Sequence, residues 1–92
     1  MTTVRLYASL RELAGDRTVE VLLPDGATVR DVLIRLVELR PGLAGHVLDG
    51  EGQVPQYVGV FVDGRDIRYL QGLDTPVRPE NEVYIFPPTA GG

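Results

Sequence analysis

One amphipathic helix constrains the fold of this chain more than any other feature of its sequence. In residues 28–39 the apolar positions recur at the spacing of a single helix face, on Val29, Val32, Leu33, Leu36 and Val37. Thr28 is well suited to cap the helix start, and Asp31 lies in the first turn, where the helix dipole favours a carboxylate. Pro41-Gly42 end the helix. The apolar face of this helix needs a sheet to pack against, because the chain offers no comparable second helix.

Short strand patterns occupy much of the remaining sequence. Apolar and polar side chains alternate over residues 4–9, with Val4, Leu6 and Ala8 on one side, and a second strand pattern covers residues 18–23. The LRELAG stretch between them is compatible with one helical turn ending at Gly15, and the two strands can form a hairpin. Residues 42–56 read as irregular, with a possible helical turn at LAGHVL.

The second half of the chain carries the remaining strands. Residues 57–64 predict a strand that ends in an Asp63-Gly64 turn, and residues 65–67 could form a short return strand. Residues 68–81 are interrupted by glycine and proline and read as a loop. The last strand, residues 82–86, points Val83 and Ile85 inward and Tyr84 and Phe86 outward.

The order β-β-α-β-(β)-β predicts an α+β fold in which one main helix covers a mixed sheet of four to five strands. The first and last strands are expected to be neighbours in the centre of the sheet. This layout is that of the β-grasp, or ubiquitin-like, fold. Residues 1–86 are predicted to form the domain, and residues 87–92 an extended, flexible C-terminal tail.

A single helix leaves the other sheet face uncovered. The predicted register places Tyr7, Phe61, Tyr84 and Phe86 on that face, with Arg5 and Ser9 nearby. Such a cluster of aromatic side chains suggests a protein interface. Two further interpretations stay open: a shift of one residue in register would bury these side chains, and single exposed aromatic residues often have no function.

Composition excludes several classes of function. The 92 residues contain no cysteine, one histidine (His46) and a net charge of −4. A thiolate nucleophile is therefore excluded, no metal centre is expected, and nucleic acid is a poor partner because phosphate binding requires clustered basic residues. The acidic charge fits a partner with a basic surface, or simply solubility. Without a membrane span or a signal-peptide pattern, the expected location is cytoplasmic.

The titratable residues offer no convincing catalytic group. Asp63 with Asp66, and Glu80 with Glu82, could be read as paired carboxylates, but they fall in turn segments where solvated side chains are expected. His46, beside a glycine-rich loop, is predicted to lie on the surface.

The C-terminal segment has an unusual composition. Pro87 and Pro88 end the last strand and would hold the following residues extended. Gly91 and Gly92 lack side chains and could pass through a narrow channel, which suits delivery of a terminal carboxylate into another protein's active site. A frayed terminus is the alternative.

Several stretches resemble the MoaD/ThiS family of ubiquitin-like sulfur carriers, in order and over nearly the whole chain. These stretches are VRLYASLRELAG at 4–15, GATVRDVLIRL at 26–36, FVDGRDIR at 61–68 and LDTPVRPENEVYIFPPTAGG at 73–92. The FPP-x-x-GG ending is most similar to the small subunit of molybdopterin synthase. The DIR-x-x-x-GLDTP segment at 66–76 is more similar to the carrier of the cysteine pathway and to archaeal small modifiers.

The resemblance implies a chemistry for the C-terminus. An E1-like adenylyltransferase would use ATP to activate the carboxyl group of Gly92, and a persulfide sulfur would then convert it to a thiocarboxylate. The chain would bind no cofactor and no metal, and it would not be catalytic alone. Gly91, Pro87 and Pro88 would present the tail.

Partners are implied in the same way. Tyr7, Phe61 and Phe86 would dock on the activating enzyme or on the sulfur acceptor. The acceptor would be the large subunit of molybdopterin synthase or, alternatively, a PLP-dependent cysteine synthase or a tRNA-thiolation enzyme. The chain could instead be a protein modifier conjugated through Gly92, or a plain interaction module. All nine basic residues are arginine, so chains of the protein on its own lysines are impossible.

Overall fold

In the computed structural model, which describes residues 1–88, five strands form one mixed sheet with the order β2-β1-β5-β3-β4. The strands are β1 (Thr2–Leu6), β2 (Thr18–Val21), β3 (Gly59–Val62), β4 (Arg65–Asp66) and β5 (Glu82–Phe86). A short helix, α1 (Ser9–Ala14), and the main helix, α2 (Val29–Leu39), complete the regular elements. The predicted class, a mixed sheet covered by one main helix, is confirmed.

The last strand is the centre of the sheet, as predicted. β5 pairs in parallel with β1, so that Leu6 lies beside Ile85, and pairs antiparallel with β3, so that Val60 lies on the other side of Ile85. β1 and β2 form the expected antiparallel pair. The two hairpins of the chain are therefore joined through β5.

Helix α2 packs its apolar face against this sheet. Val29, Val32, Leu33 and Leu36 are fully buried and belong to one core together with the inward residues of the strands. The start of α2 is fixed by the Thr28 amide, which donates to the Asp31 carboxylate at 2.9 Å. The predicted helix, its cap and its buried face are confirmed.

Three strand predictions extended too far. β1 ends at Leu6 rather than at residue 9, and Ala8, predicted to face inward, is exposed with a φ of 52°. The chain turns there so that α1 can begin, and Leu10 of that helix fills the core instead. Likewise β2 ends at Val21, and Leu22 lies on the surface. The third strand, β3, begins at Gly59 rather than at residue 57, and Tyr57 is exposed.

The segment predicted to be a loop after β4 has a structural task. It contains two 3₁₀ turns, at Ile67–Tyr69 and Gly72–Asp74, and Thr75 accepts a hydrogen bond from the Val29 amide at 2.9 Å through its carbonyl oxygen. Because the first amides of a helix have no partner within the helix, this contact satisfies one of them. The GLDTP stretch thus supports the start of α2.

The loop after α2 is mostly irregular, as predicted. A 3₁₀ turn covers Pro41–Leu43, slightly earlier than the expected helical turn. Leu43 and Val47 are buried beneath the loop, whereas His46 is exposed, as predicted. Within the part of the chain that the structure describes, neither helix is long and apolar enough to cross a membrane.

Candidate functional site

The sheet face opposite α2 is organised by strand register. Tyr84 of β5 lies between Arg5 of β1 and Phe61 of β3, and Phe86 lies beside Gly59. The alternation in β5 buries Val83 and Ile85 on the other face, as predicted. The central strand thus carries two aromatic side chains onto the uncovered face.

Four aromatic residues gather where β5 ends: Tyr7, Phe61, Tyr84 and Phe86, here called the aromatic patch. The rings of Tyr7 and Phe86 stack with centroids 4.4 Å apart and planes at 10°. Phe61 meets Phe86 edge-on, with centroids 5.4 Å apart and planes at 84°, and Tyr7 lies 6.4 Å from Tyr84. Stacked and edge-on arrangements are both favourable for aromatic pairs. The predicted clustering is confirmed, and neither a register shift nor isolated exposure describes this face.

The patch forms a shallow apolar concavity. The four rings and Gly64 surround a space of about 320 Å³. Phe86, at its centre, keeps 39% of its surface accessible. An accessible concavity of this kind can receive an apolar side chain from a partner.

The opposite end of the same face is polar. Arg5 Nε donates to the Glu82 carboxylate at 2.7 Å, and the Tyr84 hydroxyl donates to the same carboxylate at 3.2 Å. The hydrogen bond from Arg5 lowers the pKa of Glu82, and the bond to Glu82 raises the pKa of Tyr84. The face therefore changes from charged, where β5 begins, to aromatic, where β5 ends.

The paired carboxylates were expected to be solvated, and Asp63, Asp66 and Glu82 also accept hydrogen bonds from neighbouring groups. Asp63 accepts from the Asn81 side chain at 2.6 Å and from the Glu82 amide at 2.8 Å. Asp66 is bound by the Arg68 guanidinium at 2.7 Å, which lowers the pKa of its carboxyl group. Asp63 and Glu80 are exposed, as predicted, whereas Asp66 and Glu82 are half-buried. In residues 1–88, no three acidic or histidine side chains gather closely enough to hold a metal ion.

The structure brings Tyr7, Phe61 and Phe86 together, and their role in binding a partner stays a prediction. Pro87 is half-buried and Pro88 exposed, and both follow β5 directly. The predicted positions Gly91 and Gly92 lie outside the described residues.

Sequence reasoning missed two features of this face. The Arg5–Glu82 contact links residues 77 positions apart. The predicted pairing of the first and last strands could have indicated it, because that pairing brings the two residues close together. The second is Gly59, which faces the patch but has no side chain to reveal it.

The domain has five strands and one main helix, and its central last strand carries the exposed patch and precedes a Gly-Gly segment in the sequence. These features define the ubiquitin-like class of proteins. Within that class the chain belongs to the ThiS family, whose model matches residues 4–92.

Two relatives illustrate the range of the family. Small archaeal modifier protein 3 of Haloferax volcanii is 37% identical over 89 residues, covering 97% of this chain and 96% of the relative. A protein named putative sulfur carrier protein, of Archaeoglobus fulgidus, is 34% identical with the same coverage. The family thus includes members named as sulfur carriers and members named as modifiers.

Solved structures show the same fold. Small archaeal modifier protein 1 of Haloferax volcanii matches with a TM-score of 0.89 and 33% identity, covering 99% of this chain and 98% of that one. A chain in the BexX/CysO complex of Amycolatopsis orientalis matches with a TM-score of 0.85 and 27% identity over the full length of both chains. These matches establish the β-grasp fold.

Proposed function

We propose that this protein is a sulfur carrier whose C-terminal Gly92 carboxylate is adenylated by an E1-like enzyme and converted to a thiocarboxylate. The observation that carries the proposal is the position of the aromatic patch, at the end of β5 from which the Gly-Gly segment departs. Membership of the ThiS family supports it. Residues 1–86 act as the recognition domain and residues 87–92 as the delivery segment.

Each chemical step has a defined leaving group. The Gly92 carboxylate attacks the α-phosphorus of ATP and displaces pyrophosphate, which makes an acyl adenylate. The terminal sulfur of a protein persulfide then attacks the acyl carbon and expels AMP, leaving an acyl disulfide. A second thiol reduces that disulfide and releases the thiocarboxylate. The chain contains no cysteine, so both sulfur atoms come from partners.

The aromatic patch is assigned to the adenylating enzyme. If extended, the six residues from Pro87 to Gly92 reach about 20 Å beyond the sheet. An enzyme that binds the patch can therefore hold the Gly92 carboxylate in a separate active site. The relative CysO has been crystallised in a complex with BexX, which supports a bound protein partner for this fold.

The sulfur acceptor is proposed from two stretches of the sequence. The FPP-x-x-GG ending favours the large subunit of molybdopterin synthase, and the segment at 66–76 fits a PLP-dependent cysteine synthase. The segment at 66–76 also supports the start of α2 in this structure, so its sequence serves the fold as well as any acceptor. The two acceptors, and tRNA thiolation, are distinguished by supplying each acceptor to the thiocarboxylate form.

A second function is favoured by one specific finding. The relative at 37% identity is named a modifier protein, and a modifier would end with Gly92 in an amide bond to a lysine of its target. Both functions share the adenylation step and differ in what attacks next, a sulfur or an amine.

The test is intact-mass measurement of the purified protein after incubation with ATP, its adenylating enzyme and a persulfide donor. We expect a mass gain equal to replacement of one oxygen by sulfur, located on Gly92 and absent in a variant lacking Gly92. An unchanged mass, with the enzyme active on a control carrier, would refute the sulfur-carrier proposal. Lysine-linked conjugates in a lysate, lost with Gly91 and Gly92, would favour the modifier instead.

A further inference from the structure

The aromatic patch contains one position without a side chain. Gly59 lies in β3 directly beside Phe86, and it faces the same side of the sheet as Phe61. A Cβ atom at residue 59 would lie 3.1 Å from Cε1 of Phe61 and 3.8 Å from Cβ of Phe86. Because carbon atoms prefer separations of about 3.5–4.0 Å, the Phe61 ring would have to move to admit it.

The backbone at this position does not itself demand glycine. Its φ lies outside the left-handed region, unlike that of Gly64 in the following turn. Glycine inside a strand weakens the strand, so a different cause is needed to explain it. The close approach of the Phe61 ring supplies that cause.

The ring of Phe61 occupies the space that a side chain at residue 59 would fill. From there Phe61 meets the Phe86 ring at nearly a right angle, and Tyr7 stacks on that same Phe86 ring. Phe86 is the last residue of β5. The absence of a side chain at Gly59 therefore determines where one wall of the patch stands, next to the start of the delivery segment.

We infer that Gly59 is a positioning residue for partner recognition: it seats Phe61 against Phe86 so that the patch fits the adenylating enzyme. This inference rests on the proposed function. It assigns no contact with the partner to Gly59 itself, which acts through Phe61.

The test compares Gly59→Val, Phe61→Ala, the double variant and a control, Gly50→Val, in the full chain. Valine suits a strand, and its Cβ atom would lie 3.1 Å from Cε1 of Phe61. Gly50 has open space around it and lies outside the left-handed region, so valine is tolerated there. The measurement is ATP–pyrophosphate exchange by the adenylating enzyme of the source organism, with KM for the carrier separated from kcat.

We expect Gly59→Val and Phe61→Ala each to raise KM about tenfold with kcat unchanged, as loss of one anchor at an interface would. Once Phe61 is removed, Gly59→Val should change KM by less than about twofold, because the two residues act as one unit. Gly50→Val should match the unaltered protein. If Gly59→Val unfolds the domain, Gly59→Ala gives the same comparison with a smaller displacement.

The outcomes separate the inference from the function on which it rests. If Phe61→Ala raises KM while Gly59→Val and Gly59→Ala leave it unchanged, the positioning role of Gly59 is overturned. The aromatic patch would then still be the docking surface for the adenylating enzyme. Effects that add in the double variant would also overturn it. An unchanged KM in Phe61→Ala would refute docking through the patch, and no exchange with the unaltered protein would refute the proposed function.

Discussion

The ring of Tyr7 stacks on the ring of Phe86 with centroids 4.4 Å apart, although the two residues stand 79 positions apart in the sequence. Tyr7 follows the end of β1, and Phe86 is the last residue of the parallel strand β5. The stack therefore joins the two central strands at the point where the chain leaves the sheet. It also sets the position of the most central ring of the aromatic patch.

Replacing Tyr7 tests this relationship. Tyr7→Ala should raise KM for the adenylating enzyme about tenfold, since Phe86 loses the ring that holds it in place. The free energy of unfolding should fall by at least about 0.5–1.5 kcal/mol, the contribution of an aromatic pair beyond the area that it buries. Tyr69→Ala, which removes an aromatic side chain that is 87% exposed elsewhere on the surface, is the matched control. Equal KM values for the two variants would contradict the assignment of the patch.

The Arg5–Glu82 ion pair predicts a pH-dependent stability. The hydrogen bond from Arg5 lowers the pKa of Glu82 below its ordinary value of 4.5. A lowered pKa means that the stabilising contribution is present above that ordinary value and is lost as the pH falls through the lowered pKa. Glu82→Gln should accordingly have a lower Tm than the unaltered protein near neutral pH, and this difference should shrink on acidification.

Thermal unfolding across a pH series provides the measurement for Glu82. Glu80→Gln removes an exposed carboxylate two residues away and serves as the control. Added salt should reduce the effect of Glu82→Gln, because both members of the ion pair are partly exposed. A difference in Tm that stays constant down to acidic pH would show that the ion pair is not its cause.

The contact between α1 and the turn after α2 requires glycine at residue 42. A Cβ atom there would overlap the backbone carbonyl oxygen of Leu13, which cannot rotate away as a side chain could. Gly42→Ala should lower the free energy of unfolding by about 1–3 kcal/mol through overpacking. Urea unfolding checks this against Gly50→Ala, where a new methyl group meets open space. Equal midpoints for the two variants would rule out the predicted overlap.

Thr75 is a buried polar residue in the segment that supports the start of α2. Its hydroxyl donates to the Gly72 carbonyl at 2.7 Å and accepts from the Gln71 amide at 3.1 Å. Thr75→Val keeps the shape but leaves the Gln71 amide without this acceptor, while the Gly72 carbonyl retains the bond from the Thr75 amide, so it should cost about 1–3 kcal/mol of unfolding free energy. Thr18→Val, at an exposed position of β2, is the control for urea unfolding. A neutral Thr75→Val would mean that water replaces the hydroxyl.

The sequence was most informative where one face of an element is buried. The spacing of Val32, Leu33 and Leu36 predicted α2, and the alternation around Val83 and Ile85 predicted both β5 and the exposed side of Phe86. In each case burial of one face leaves a regular pattern in the sequence.

The same rule explains the errors. The alternation of apolar and polar residues continues through Ala8 by coincidence. The chain turns at Ala8 with a positive φ to begin α1, and an alternating pattern cannot indicate such a turn. The tertiary hydrogen bonds of Thr75 leave no periodic trace. Gly59 contributes to the patch by having no side chain, which no pattern of side chains can show. The clustering of Tyr7 with Phe86 was predictable because strand pairing and alternation together determine it.

The position of β5 has a consequence for synthesis on the ribosome. β1 and β2 can pair as soon as they emerge, and so can β3 with β4, but within residues 1–88 no ladder joins these hairpins directly. Residues 82–86 supply that connection on both sides, so the sheet closes only after these residues have been translated. Pairings this distant along the chain form slowly. A nascent chain that stalls before Phe86 therefore exposes its unfinished core, and the domain acquires its fold together with the segment that it presents.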